Sequence, residues 1–438
     1  MKRTIILTAL IVFLSAVGLG AQETVSASAA GRKHVLENGL TVILDRDESS
    51  AATVLQVLIR GGRLAESAGK QGLAYLTTRL ALEIPVESEA QDLVGYASMF
   101  DVSSAGDYSL IRIRCLTSRL EKTLDILSGV LRKPLFSGLR IDRIREHMIH
   151  LGQRERDDPV RLGHWMALEA FFGAAGYGAF PFGREDTLKA LKAKDISNFY
   201  KSHFTSDRMI VSASSNLKEE DLLAVLKKNF SGFGRGEAQP QTTASPVVPE
   251  KRELTFEKDA KQAFISRAYA LPAVSPRSYV LAYLLEYILG PSPGSRLWPI
   301  RAEELLAYNI NARTAVMKDG GMLEAYLETD RAKTETARLA LRAILDRLYE
   351  DGLSEDEFLR MRTGARAEFM RLNETKNIRS RNLAEFEGLG LGHEFLLGFF
   401  PVLEALTCRD LNEFIKTVLR PESAVEVMIG PAGVSAGR

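Results

Sequence analysis

The stretch DISNFYKSHFTSDRMIVSAS, residues 195–214, returns near the end of the chain as DLNEFIKTVLRPESAVEVMIG, residues 410–430. With the two aspartates aligned, Phe199 falls on Phe414 and Lys201 on Lys416, at a constant offset of 215 residues. Each aspartate sits where a helix N-cap belongs, ahead of a short amphipathic helix. A break follows, then an apolar strand-like run, MIVSAS (209–214) in one copy and AVEVMIG (424–430) in the other. Matches at a fixed offset predict a tandem duplication of one α+β unit.

Between the copies, GEAQPQTTASPVVPE (236–250) holds three prolines and no aromatic residue. It predicts an extended linker. The expected layout is a signal segment at 1–21, one unit at 31–235, the linker at 236–250 and a second unit at 251–435. GLTVIL (39–44) and TVLQVLIRGG (53–62) read as neighbouring strands. SRLEKTLDILSGVL (118–131) and TARLALRAILDRLYEDG (336–352) carry apolar residues at helical spacing. Strands and helices do not alternate strictly, so the predicted class is α+β, an antiparallel sheet covered by helices and made twice.

The N-terminus, MKRTIILTALIVFLSAVGLGAQ, has the parts of a secretory signal peptide: Lys2 and Arg3, an apolar run from Thr4 to Val17, then Gly18, Gly20 and Ala21. The run is shorter than the roughly 20 residues of a membrane span, and an uncleaved anchor is the alternative. The chain is expected to be exported, in the periplasm. Apolar residues make up 45% and charged residues 26%, enough for full cores in a soluble chain. A net charge of +1 gives no reason to expect nucleic acid or an anionic membrane as partner. Cys115 and Cys408, the only cysteines, exclude a disulfide scaffold and a cysteine-rich zinc site, leaving two buried thiols or one long-range bridge.

Several segments in order resemble the insulinase/pitrilysin family of zinc peptidases, which includes the mitochondrial processing peptidases. LENGLTVILDRDES (36–49) and VLQVLIRGGRLAESAGKQGLAYL (54–76) are similar to its opening. FPFGREDTLKALKAKDISNFYKSHFTSDRMIVSAS (180–214) is similar to its later first half, and ILGPSPGSRLWPIRAEELLAYNI (288–310) to its second-half signature. The resemblance runs from about His34 to Pro431 and implies two homologous units in a clamshell.

In active members, the residues after GLA form the inverted zinc motif H-x-x-E-H, two histidines one helical turn apart with a glutamate as base. Here those places hold Tyr75, Thr78 and Arg79. RERDDP (154–159) resembles the family's acidic segment and puts Leu151 at the third-ligand position, or Gly152 if the alignment slips by one. Tyrosine and threonine are poor zinc ligands at neutral pH, and arginine is a fixed cation. The resemblance therefore implies no zinc and no catalytic residue in this chain alone. Among the six histidines, His147 and His150 stand three apart but lack a third ligand and read as solvent-facing. His393 and Glu394 follow the glycine-rich EGLGLG and read as a helix start; GPSPGSR (290–296) lacks a phosphate loop's lysine and reads as a turn.

The resemblance also implies an arginine and a tyrosine, seven residues apart, that hold substrate and polarise its carbonyl. Arg301 and Tyr308 occupy those places. A guanidinium can grip peptide carbonyls, and a phenol can donate to a developing oxyanion. Leu305 and Leu306 precede Ala307 where the family usually has a glycine, which predicts a changed turn. The expected function is the non-catalytic subunit of an exported heterodimeric peptidase. Arg301 and Tyr308 would serve the chamber of a homologous zinc-bearing partner acting on unstructured peptides. The competing readings are an inactive peptide-binding or scaffold protein with no peptidase partner, and an enzyme with an unrecognised site.

Overall fold

In the strand Ala52–Arg60, every residue from Thr53 to Ile59 is buried. A strand buried on both faces needs a cover on each side, and here the two covers come from opposite ends of the chain. The computed structural model describes residues 31–237, 244–247 and 253–431. The expected signal segment and most of the expected linker lie outside the described residues.

The first half runs β1 (Arg32–Val35), β2 (Thr41–Arg46), β3 (Ala52–Arg60), α1 (Leu73–Leu80), α2 (Glu87–Gly95), β4 (Met99–Ser104) and β5 (Tyr108–Leu116). It continues through α3 (Leu120–Arg132), α4 (Gly138–Asp157), α5 (Pro159–Phe172), α6 (Glu185–Ala190), α7 (Ala193–His203), β6 (Met209–Ser215) and α8 (Glu219–Phe230). The second half opens with β7 (Glu253–Glu257), β8 (Gln262–Leu271), α9 (Pro276–Leu289), α10 (Trp298–Ala302), β9 (Asn309–Met317) and β10 (Gly320–Asp330). It closes with α11 (Thr334–Asp351), α12 (Glu355–Leu372), α13 (Lys376–Leu389), α14 (Phe395–Ala405), α15 (Cys408–Val418) and β11 (Val425–Gly430).

The sheets are built alike. The first has the order β1-β2-β6-β3-β5-β4 and the second β7-β11-β8-β10-β9. All pairings are antiparallel except β2 with β6 and β7 with β11, which occupy the same place in each sheet. The fold is thus the α+β tandem duplication, with one parallel pair added to each antiparallel sheet. The repeat that reveals it carries one correction. Asp195 and Asp410 are not N-caps; their helices begin earlier, at Ala193 and Cys408. Each aspartate is the third helical residue and accepts the N-cap's backbone N–H, Lys192 at 3.0 Å and Thr407 at 2.9 Å. Both make the backward half of a capping box.

One face of the first sheet packs Leu55, Val57 and Ile59 against α3 and α8, through Leu124, Leu127, Leu226 and Phe230. The other face, with Ile43, Leu58 and Ile210, joins the core of the second half through Leu383 and Ala384 of α13. The exchange is reciprocal. Ala167, Leu168 and Phe171 of α5, from the first half, pack on Phe264, Ala268, Val425 and Val427 of the second sheet. There α5 comes so close that a Cβ at Gly163 would lie 2.1 Å from the Phe264 ring.

Polar contacts fix both crossings. Arg379 of α13 meets Asp45 at 2.8 Å and Asp47 at 2.6 Å. The Lys376 ammonium donates to the Ser50 and Ala52 carbonyls at 2.7 and 2.9 Å. On the α5 side, His164 Nδ1 lies 2.9 Å from the fully buried Glu324, which also takes Arg313 at 2.7 Å. Cys115 and Cys408 are free, buried in separate cores. Among the described residues, no helix is long and apolar enough to cross a membrane.

Candidate functional site

Helix α1 starts at Gly72, whose φ of 94° is left-handed. A Cβ there would lie 2.8 Å from the Phe182 carbonyl oxygen, so glycine is required on two counts. The first turn is held by Glu66, which accepts from the backbone N–H of Gly72 (3.1 Å to each carboxylate oxygen) and of Ala74 (2.8 Å). An anion at a helix N-terminus is favourable, and this one caps orphan donors directly. Burial nevertheless pushes the Glu66 carboxyl up to about 7, against the pull of those N–H groups and of Arg63. Glu66 was missed in the sequence; its one signal is an acid standing just before the glycine-led helix start.

Tyr75 is 9% exposed and meets the Phe182 ring edge-on at 4.9 Å. It shares an apolar cluster with Ile141, Ile144 and Met148 of α4, and Leu151 packs against that cluster. The structure thus brings Tyr75 and Leu151 together. Gly152 lies beside them, under Phe180, where a Cβ would find ordinary contact at 3.4 Å. Thr78 is buried, and its hydroxyl donates to the Ala74 carbonyl at 2.7 Å, one turn back. Arg79 turns to Glu83 at 2.6 Å, and Arg143 of α4 takes the same carboxylate. His147 and His150 are exposed on α4, and His150 Nδ1 lies 3.2 Å from Gln153 Oε1.

This donor set does not fit zinc. Two apolar contacts, a hydroxyl committed to the backbone and an ion-paired guanidinium supply no soft or anionic ligand at the crossing. Among the described residues, no group of three or more histidine, cysteine, aspartate or glutamate side chains could hold a metal ion.

Of the second-half pair, Arg301 lies near the end of α10 and Tyr308 just before the edge strand β9. Arg301 is exposed, its guanidinium 5.5 Å from the centre of the Trp298 ring. Tyr308 is 57% exposed. Its backbone N–H donates to Glu328 O (2.9 Å), and its hydroxyl to Asp330 (3.0 Å), which raises its pKa. Between them, Leu305 has φ 54°, the left-handed backbone that favours glycine. Leucine is held there because Lys333 donates to its carbonyl at 2.9 Å and Leu306 N–H donates to Ile300 O at 2.9 Å. GPSPGSR is the expected turn, tied down where Arg296 grips Glu357 with two bonds of 2.6 Å. His393 stands just ahead of α14, its Nδ1 3.0 Å from Glu394. A cleft lined by Arg32, Asp45, Arg46, Lys218 and Glu219 among others shares no residue with either place.

Two family models match the chain. One, described as insulinase (peptidase family M16), matches residues 41–160; the other, described as peptidase M16 inactive domain, matches residues 190–364. Among curated proteins, the chain is 22% identical to "Uncharacterized zinc protease YmxG" of Bacillus subtilis, over 92% of this chain and 98% of that one. It is also 22% identical to "Non-peptidase homolog YmxG" of Helicobacter pylori, over 92% and 95%. Among solved structures, a peptidase M16 inactive domain from Pseudomonas fluorescens superposes with a TM-score of 0.83 at 17% identity, covering 92% of this chain and 98% of that one. The two curated names differ on activity at equal identity, so overall similarity does not decide it. The side chains at 75, 78, 79 and 151 offer no zinc donor set.

Proposed function

The chain belongs to the insulinase family, peptidase M16, and from that premise we propose that it is the non-catalytic subunit of an exported heterodimeric metallopeptidase. It is an inactive-type homologue of the family's peptidases. In this reading a homologous partner carries the zinc, and Arg301 and Tyr308 reach into its chamber to hold an unstructured peptide. The supporting observation is the contrast within one chain. The crossing of α1 and α4 is packed without a metal donor, while Arg301 and Tyr308 stand exposed. A core that has closed over its chemistry has no hydrolysis to offer, whereas an exposed guanidinium and an exposed phenol can reach a peptide outside this chain.

The experiment is co-expression with a homologous chain bearing an intact H-x-x-E-H motif, followed by purification and steady-state cleavage of an unstructured peptide. A stable complex whose turnover falls with Arg301→Ala supports the reading. Chelator-sensitive cleavage by this chain alone, or wild-type turnover in the variant complex, overturns it. One observation favours the partnerless peptide-binding reading: the Tyr308 hydroxyl is already engaged by Asp330.

A further inference from the structure

We propose that the face where α4 borders α1 binds an acidic polypeptide segment, held by a row of basic side chains beside the place where active relatives carry their metal. The proposal deepens the reading above, since it rests on that face opening toward a peptide chamber. Arg140, Arg143, His147, His150 and Arg154 follow one another at steps of three and four residues, which puts them on one stripe of the helix. Arg143, His147, His150 and Arg154 are exposed and Arg140 is half-buried, while the adjoining stripe, Ile141, Ile144, Met148 and Leu151, packs toward α1. From Arg140 to Arg154 the row is about 21 Å long at ~1.5 Å per residue. That length matches about six residues of extended chain at ~3.3 Å each.

The row is not neutralised. Glu83 is the carboxylate set into it, and it is shared between Arg79 and Arg143, while Arg140 donates to the Glu83 carbonyl at 3.2 Å. Among the described residues, neither Arg140 nor Arg154 meets a carboxylate in an ion pair. The nearby acids are engaged elsewhere: Asp142 with Arg145, Asp157 with Lys258, and Asp101 on β4 with Arg112. Glu146 stands on the outer flank of the helix. His147 records the imbalance. Desolvation first, then Arg79, Arg154 and His150, lower its pKa, so cations converge on it from both helices.

A polypeptide fits better than a nucleic acid or an anionic bilayer. The whole chain carries a net charge of only +1, so the row is a local feature and not part of a broad basic field. At the start of α4 it adjoins exposed Leu135 and Leu139, which suit apolar side chains of a polypeptide rather than a phosphate backbone.

The test uses the purified full chain alone, with no peptidase partner, so its outcome is independent of the subunit assignment. Fluorescence anisotropy would follow a labelled eight-residue Asp/Glu/Leu peptide, its Asn/Gln counterpart, a single-stranded DNA oligonucleotide and phosphatidylserine vesicles. The acidic peptide should bind at least about tenfold more tightly than the amide peptide at low salt, and lose that advantage as salt screens the charges. His150→Glu with Arg154→Glu should weaken it about tenfold. Arg360→Glu with Arg371→Glu on α12, a control with similar charge change, should leave it unaltered. Equal binding of the two peptides, an unaffected α4 variant, or tighter binding of DNA or vesicles would each overturn the proposal. Circular dichroism of both variants establishes that they fold; if the α4 reversal unfolds, Arg154→Ala, at an exposed site without an ion pair, takes its place.

Discussion

The Arg379 guanidinium, on a helix of the second half, lies 2.8 Å from the Asp45 carboxylate, a first-half side chain that is only 1% exposed. The pair is the electrostatic centre of the exchange that gives each sheet a helix from the other half. Removing one partner of a buried pair leaves the other charge uncompensated. Arg379→Met should therefore cost about 3–5 kcal/mol of stability, the usual range for such a loss. The urea midpoint measures it, and a change below about 1 kcal/mol would show the pair to be screened like a surface ion pair.

Leu305 carries a left-handed backbone that costs a non-glycine residue roughly 1–2 kcal/mol. Its side chain is 68% exposed, so little burial is lost on truncation. Leu305→Gly should raise stability by about 0.5–1 kcal/mol after the extra freedom of glycine in the unfolded chain is subtracted. A lower melting temperature in the variant would mean that the leucine side chain has a contact partner.

Tyr75→His, Thr78→Glu and Arg79→His together should not create a tight metal site, because Leu151 leaves the set one ligand short. Adding Leu151→Glu should raise zinc affinity. The same changes strip Glu83 of one guanidinium and break the Tyr75–Phe182 contact, so a fall in stability should accompany them. Metal content after dialysis is the readout, and stoichiometric zinc in the triple variant would show that the third-ligand position lies elsewhere.

In the co-expressed complex, Tyr308→Phe should lower turnover by about 10²–10³, the usual loss for one oxyanion donor. Asp330→Asn should change turnover in the opposite sense or leave it alone, since Asp330 is what engages the phenol in the isolated chain. Assembly, followed by size-exclusion chromatography, should be unaffected by either change.

Glu66 gives the fold a pH dependence of defined sign. Its carboxyl is raised to about 7 in the folded chain, above its ordinary 4.5. Between those values the folded chain binds the proton and the unfolded chain does not, so stability falls as pH rises. The contribution is full below about pH 4.5 and gone above about pH 7. Melting temperatures across pH 5–8 should show the decline, and Glu66→Gln should flatten it.

Much of the fold was legible because the duplicated segment keeps Asp, Phe and Lys in register, and each aspartate has the same capping duty in both copies. The exchange of α5 and α13 was not. An amphipathic helix has the same periodicity whichever sheet it covers, and Lys376 and Arg379 read as ordinary surface charges until Asp45 is known to face them. At the site, motif spacing singled out Tyr75, Thr78, Arg79 and Leu151. What fills the space around them comes from Phe182 and Arg143, remote in sequence, so the packing that replaces the chemistry had no local signature.

The exchanged helices also set an order of events during synthesis. The first sheet is complete at Ser215, yet the helix covering its inner face ends at Leu389, 174 residues later. At roughly 5–20 residues per second, a growing chain spends about 10–35 s with Ile43, Leu58 and Ile210 bare. The first unit is therefore an unfinished object until the second is nearly made. A chain that stops before α13 leaves Ile43, Leu58 and Ile210 without the Leu383 and Ala384 that pack with them.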